Sequence, residues 1–367
     1  MTRLREALGD LATEAPLVHL ADVAIAGHRR RRRATVALAS VATVAVLCAA
    51  SAAVALPWRW AADRATPQQD AATLPDLPGG GVGALDHAYQ TPCRVDREAR
   101  TIDCDDVEWR VVTAAGRTYR VPQALARTGQ ETVPVAISRD GRLLAYYSRD
   151  AQAHVVRDLV TGAEVTSPVR VPEERISTSS MLAVSDDGRH LLFDPREGSK
   201  EPALLIDTRT GGTMPVDGRY EVVGIKGGVV QLVRYIKTDL WLMPITGGGK
   251  PVRFDGVFIN FSEVAPDGRT VAAFDTKDRG KPRLTLLDAR TGRTLRKVAV
   301  HGMPADQGPV DSSVWRSGSE VSVEYLGRKG RSRYGVDVTT GKARLLARYG
   351  TRITRLTLPG AVSQPGD

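Results

Sequence analysis

The chain has 367 residues, 25% charged and 42% hydrophobic, which excludes a disordered polypeptide and allows one large domain or two ordinary ones. Aromatics are few (5%), and 35 Gly with 21 Pro favour many turns and short strands over long helices. The net charge of +9 is front-loaded, and the only dense basic run abuts an apolar stretch, which argues against nucleic acid as a partner.

Residues 1–33 read as a short basic segment. Leu4, Leu8 and Leu11 fall on one face of a helix, and Pro16 interrupts before Val18, Leu20, Val23 and Ile25. This is enough for one or two small helices without a core of their own: a solvated or membrane-surface stub, or a docking site at residues 1–28 for a cytoplasmic regulator. Residues 34–56 carry no charge and, as a helix, span about 34 Å, enough for a hydrocarbon core. Arg29, Arg30, Arg31, Arg32 and Arg33 stand before this segment, and Trp58 and Trp60 follow it. The expectation is a single pass through the plasma membrane, N-terminus inside, with residues after about 58 extracytoplasmic. Three other readings compete with it. Cleavage of a signal peptide near Ala55 meets the objection of 33 preceding residues. A lipoprotein meets that of Leu47 before Cys48, and a soluble buried helix has no polar face. The arrangement resembles the short N-terminal segments of actinobacterial membrane proteins that accompany extracytoplasmic-function sigma factors. The resemblance implies a sigma factor as the cytoplasmic regulator.

Residues 57–91 contain Pro57, Pro67, Pro75, Pro78 and the run Gly79–Gly81 without periodicity, and predict a flexible linker. The outer domain is expected over 92–358, with a disordered tail at 359–367. Cys93 and Cys104 read as a disulfide in an extracytoplasmic domain, two free thiols being the alternative.

Two turns recur through the outer domain. Asp-Gly-Arg follows a short apolar strand at Asp140-Gly141, Asp187-Gly188 and Asp267-Gly268. A Thr-Gly type of turn places glycines at Gly162, Gly211, Gly247, Gly292 and Gly341, with a weaker copy at Gly116. Each unit reads strand, Asp-Gly turn, strand, longer loop, strand, Thr-Gly turn, strand. Two units lack the first-turn Asp, at Lys226-Gly227-Gly228 and Ser317-Gly318-Ser319. Asp bonds a backbone N–H ahead of it and Gly supplies the positive φ of a tight hairpin. Strands such as Leu143–Ser148 are apolar on both faces, so each sheet needs neighbours on both sides, and radial stacking provides them. The expected fold is all-β: a six-bladed β-propeller of four-stranded blades, an irregular sandwich being the alternative. The stretch 352–358 has no unit of its own and is expected to pair with the first blade and close the ring.

The SxDGR turns, the xDxxTG turns and the stretch LWLMPITGG at 240–248 resemble the WD40-like repeats of TolB-type β-propellers, over roughly 105–350. The resemblance implies the repeat and the fold, and no ligand.

Signs of chemistry are few. The six His (His19, His28, His87, His154, His190, His301) form no metal-ligand spacing, and no GxSxG is present. Gly247-Gly248-Gly249-Lys250 reads as a hairpin. Asp105-Asp106 and Asp186-Asp187 read as solvated turns, a weak Ca²⁺ site being the alternative. Neither a cofactor nor enzymatic activity is expected. Arg328, Lys329, Arg331 and Arg333 are placed in a loop of the last blade, as a solvated tip or a contact for an anionic wall polymer or a partner's acidic patch. The expected function is non-enzymatic binding of a protein, peptide or glycan at the cell surface. The alternative is a transmembrane sensor acting through its N-terminal segment.

Overall fold

The computed structural model describes residues 74–362, except 97, 99, 130, 236, 279–280, 304–307, 328–329 and 351–352. The expected cytoplasmic segment, Arg29 to Arg33 and the apolar stretch 34–56 lie outside the described residues. Among the described residues no helix is long and apolar enough to cross a membrane.

The described chain forms six four-stranded antiparallel sheets, the blades of a β-propeller. From the axis outward, blade 2 runs Ala136–Ile137, Leu143–Ser148, Ala153–Asp158 and Glu164–Arg170, and blade 3 runs Met181–Val184, His190–Asp194, Ala203–Asp207 and Thr213–Val216. Blade 4 runs Glu221–Lys226, Val229–Arg234, Asp239–Pro244 and Val252–Arg253. Blade 5 runs Phe258–Ile259, Thr270–Asp275, Arg283–Asp288 and Thr294–Ala299, and blade 6 runs Gly308–Trp315, Glu320–Gly327, Gly330–Asp337 and Ala343–Arg348. Blade 1 is composite: Thr354–Thr357 from the end of the chain is its inner strand, followed by Leu85–Gln90, Trp109–Thr113 and Thr118–Arg120. The expected ring closure is therefore present. Ala88 pairs with Thr357 and Gln90 with Thr354, and the Thr354 hydroxyl donates to the Gln90 carbonyl at 3.0 Å.

The core lies between blades. Along Leu143–Ser148, Leu144 and Tyr146 pack with Trp109 and Val111 of blade 1, while Leu143, Ala145 and Tyr147 pack with Leu191 and Phe193 of blade 3. One strand thus buries both faces, which is why its sequence does not alternate.

The repeated motif is a single device. In Ser-x-Asp-Gly-Arg, the Ser138 hydroxyl donates to Asp140 at 2.6 Å and accepts from the Leu143 N–H at 2.8 Å, and Ser185 repeats this with Asp187 and His190. The Arg then reaches across the same end of the blade to the Asp of the Thr-Gly turn: Arg142 to Asp158 at 2.6 Å, Arg189 to Asp207 at 2.9 Å and Arg269 to Asp288 at 2.6 Å. These arginines are about half exposed, so the clasps fix register more than they add stability. Where blade 4 lacks the Asp, Gly227 and Gly228 adopt φ of 56° and 77°, the paired left-handed values of a two-residue hairpin.

Three boundaries differ from expectation. The linker does not extend to 91: Leu85–Gln90 is a strand, Leu77 and Val82 are buried, and the Val82 N–H bonds the Leu159 carbonyl at 2.7 Å. Gly81 suits close packing here rather than flexibility, because a Cβ on it would overlap the Val160 carbonyl. Of the expected tail, residues 359–362 are described, and Val362 is buried. Residues 94–103 form a separate hairpin, Arg94–Asp96 against Thr101–Asp103, inserted between the second and third strands of blade 1.

Candidate functional site

At the end of the ring that carries the Asp-Gly turns, the central channel opens into a cavity of about 360 Å³. Its wall is apolar, with Ile137, Val184, Ile225 and Val264 contributed by four successive blades. Its rim is charged and alternates in sign: Arg139 from blade 2, Asp186 from blade 3, Lys226 from blade 4 and Glu263 from blade 5.

The rim is held rigidly. The Glu263 carboxylate is buried and accepts from Arg139 Nε at 2.9 Å, from Lys226 Nζ at 3.0 Å and from the Trp315 N–H at 2.9 Å. Arg139 also donates to the Trp315 carbonyl at 2.6 Å, and Lys226 to the Val264 carbonyl at 3.1 Å. Trp315, buried in blade 6, donates its indole N–H to Ser262 Oγ at 3.1 Å and to the Glu263 carbonyl at 3.0 Å, so blades 5 and 6 together fix the Glu. Asp186 is the acid of the rim without a cationic side chain at bonding distance. Its side chain reaches solvent and accepts only a 3.3 Å bond from the Arg139 backbone, yet the surrounding wall desolvates it and raises its carboxyl above the usual range.

The end of the chain crosses this mouth. After Leu358, Pro359-Gly360 make a turn in which the Ala361 N–H bonds the Leu358 carbonyl at 3.1 Å and Gly360 has φ 75°. Gly360, Ala361 and Val362 line the cavity.

The opposite end of the ring holds a second unusual cluster. Asp194 is fully buried, and burial pushes its carboxyl up to about 6. Glu221, at the start of the inner strand of blade 4, is held well above the carboxylate range by burial and then by Glu197, to which it is hydrogen-bonded. Among the described residues, no three His, Cys, Asp or Glu are grouped so as to hold a metal ion.

The sequence-predicted residues are dispersed. Cys93 and Cys104 are bonded and close the base of the inserted hairpin. Asp140-Gly141, Asp187-Gly188 and Asp267-Gly268 join inner to second strands, and Gly162, Gly211, Gly247, Gly292 and Gly341 join third to outer strands. His154 is buried against Tyr147 and Phe193, and burial lowers it to about 4. Two of the four residues of the basic cluster are not in a loop. Gly327 pairs with Gly330, which leaves room for only 328–329 between two eight-residue strands. Arg331 and Arg333 lie within the second of these strands, half-buried. Arg331 is 3.7 Å from Glu324, and Arg333 donates to Ser322 Oγ at 2.8 Å. Arg328 and Lys329 lie outside the described residues.

Sequence reasoning missed the rim. Arg139, Asp186 and Lys226 occupy one position of the repeat, the residue just before the Asp-Gly or Gly-Gly pair. The constant residues build the turn, and the variable one faces the channel. That contrast between fixed and variable positions was the available signal. It also separates Asp186 from Asp187, which the sequence pairs as turn residues.

No family model matches the chain, and no curated protein matches it. Chains of known structure are similar to it. One is in a nidogen–laminin complex, 9% identical over 76% of this chain and 98% of that one, with a TM-score of 0.44. Another is a prolyl endopeptidase, 12% identical over 77% and 43% of the two chains, TM-score 0.46. A third is the β-propeller domain of Cps50 (Swd1) from Myceliophteria thermophila, 19% identical over 57% and 66%, TM-score 0.38. None of these likenesses bears on what this chain binds.

Proposed function

We propose that this is a non-enzymatic binding protein. Its channel mouth receives a segment of an extracytoplasmic protein, peptide or glycan, and residues 34–56 anchor it to the plasma membrane with the N-terminus inside. The observation that carries this reading is the mouth itself: an apolar cavity of about 360 Å³ ringed by Arg139, Asp186, Lys226 and Glu263. Apolar walls supply affinity, while charges fixed by four blades supply orientation and discrimination. The Ser262 hydroxyl beside Glu263 is engaged in structural hydrogen bonds: it donates to the Glu263 carbonyl at 2.8 Å and accepts from the Ala272 N–H at 2.8 Å. A second reading is a transmembrane sensor, favoured by the leucine face of Leu4, Leu8 and Leu11. In that reading the same mouth is the input and residues 1–28 are the output.

The test is retention of extracytoplasmic partners by the full chain and by its Asp186→Lys/Lys226→Glu variant. The variant is expected to lose partners that the native rim retains. An unchanged partner set would remove the mouth as the binding site.

A further inference from the structure

The mouth is already occupied in part by the chain itself, and four local features hold the occupant. Pro359-Gly360 form the central pair of a type II turn, with Pro fixing φ at the first position and Gly taking φ 75° at the second. This turn carries the chain off the closing strand and across the channel instead of along it. Within the turn, the Gly360 N–H donates to the Ile137 carbonyl at 3.0 Å. Ile137 belongs to the inner strand of blade 2, whose axial edge has no neighbouring strand, so its carbonyl is available to any backbone that crosses the mouth. Gly360 also fits closely: a Cβ there would stand 2.6 Å from Val314 Cγ1 and 3.3 Å from Arg139 Cα. Val362 is then buried in the cluster that holds Met181, Ala183 and Ile225.

We propose that residues 359–362 are an intramolecular stand-in for the ligand. The mouth recognises a peptide that turns through Pro-Gly, offers the Gly N–H to the Ile137 carbonyl and, two residues later, an aliphatic side chain to the Met181/Ala183/Ile225 pocket. An external peptide of this kind binds by displacing the tail. The proposal rests on the mouth being the binding site and names its ligand class and its regulation.

Two arguments favour this over a purely structural plug. The tail contacts the ring through the elements an incoming peptide would use, one hydrogen bond to a strand edge and one side-chain pocket. Its placement also leaves the 360 Å³ cavity open beside it, so it blocks part of the site and does not fill the channel. A tethered competitor acts at an effective concentration on the order of millimolar. External ligand then sees its affinity reduced by the fraction of time the tail is out.

The experiment uses the full chain in detergent and a fluorescent peptide of sequence Leu-Pro-Gly-Ala-Val-Ser, matching residues 358–363. Val362→Asp and Gly360→Val each expel the tail by different means, one by charge and one by the clash with Val314. Urea midpoints confirm that both variants are folded. Both are expected to bind the peptide at least about tenfold more tightly than the native chain. A peptide with Asp in place of Val is expected to bind none of them. Equal binding by native and variant chains, or no binding by either variant, overturns the proposal. The two readings fail separately. If partner retention is sensitive to Asp186→Lys/Lys226→Glu while the peptide binds neither variant, the mouth stands and the tail inference falls. If retention is insensitive to that exchange, the mouth falls.

Discussion

Glu263→Gln tests whether the rim is a built feature. Glu263 is 8% exposed, and its two oxygens serve Arg139, Lys226 and the Trp315 N–H. Glutamine keeps one carbonyl oxygen for Arg139 and Trp315 but turns an amide donor towards the Lys226 ammonium, so that contact is lost and the rest are weakened. One charge-assisted bond amounts to about 1.5–3 kcal/mol. The full 3–5 kcal/mol or so of a broken buried pair does not apply. The Arg139 and Lys226 side chains are 38% and 36% exposed, and water takes over part of their interaction. With a urea m-value of about 3 kcal/mol/M, the midpoint should fall by about 0.5–1 M. Lys226→Met in the Glu263→Gln background should cost less than it does in the native chain, because the contact is already gone. Arg219→Ala, which removes an exposed pair with Asp217 two residues away, should leave the midpoint unchanged. An unmoved midpoint in Glu263→Gln, or strict additivity in the cycle, would refute the picture of a rigid rim.

Further predictions concern the scaffold. Leu358 is 1% exposed at the ring closure, so Leu358→Ala should cost about 2–5 kcal/mol in denaturant unfolding. Leu295→Ala on the outer strand of blade 5 should stay within about 0.5 kcal/mol, and equal effects would contradict the closure. Replacing Cys93 and Cys104 by Ser should lower unfolding free energy by about 2–3 kcal/mol. Amides of the 94–103 hairpin should exchange first, and hairpin protection matching that of the blades would count against this account. The pH response has two opposed parts. Asp158 and Asp207 lie at about 2 in the fold, Asp158 chiefly through Arg142 and Asp207 chiefly through the Thr210 N–H. Their contribution is present above about pH 4 and is lost as pH falls towards 2. Asp194, raised to about 6 by burial, works the other way: its contribution is present below about pH 4 and is lost as pH rises through 6. Asp194→Asn should therefore flatten the decline in melting temperature between pH 4 and 7, and an unchanged slope would exclude the group.

The propeller was legible because its repeats carry their own chemistry. Ser-x-Asp-Gly-Arg and Asp-x-x-Thr-Gly are the two halves of one clasp, so turns, strands and period can all be read from one line of sequence. Ring closure by 352–358 was legible as an apolar stretch without a unit. The segment 74–91 was not, since Pro and Gly signal flexibility in isolation and close packing only against Leu159 and Val160. Arg331 and Arg333 were misplaced because the strand that begins at Gly330 runs through them. The rim was hidden for a different reason: its members come from four blades, and only the ring brings them together.

The central claim is that the mouth engages an extracytoplasmic partner. Its most direct test places a photo-cross-linking amino acid at position 186, on the rim, or at position 295, on the outer strand of blade 5, in the full chain in its native cells. The account predicts a discrete extracytoplasmic cross-link from 186, absent from 295 and strengthened by Val362→Asp. Cross-links from 295 alone, or the same products from both positions, would contradict it.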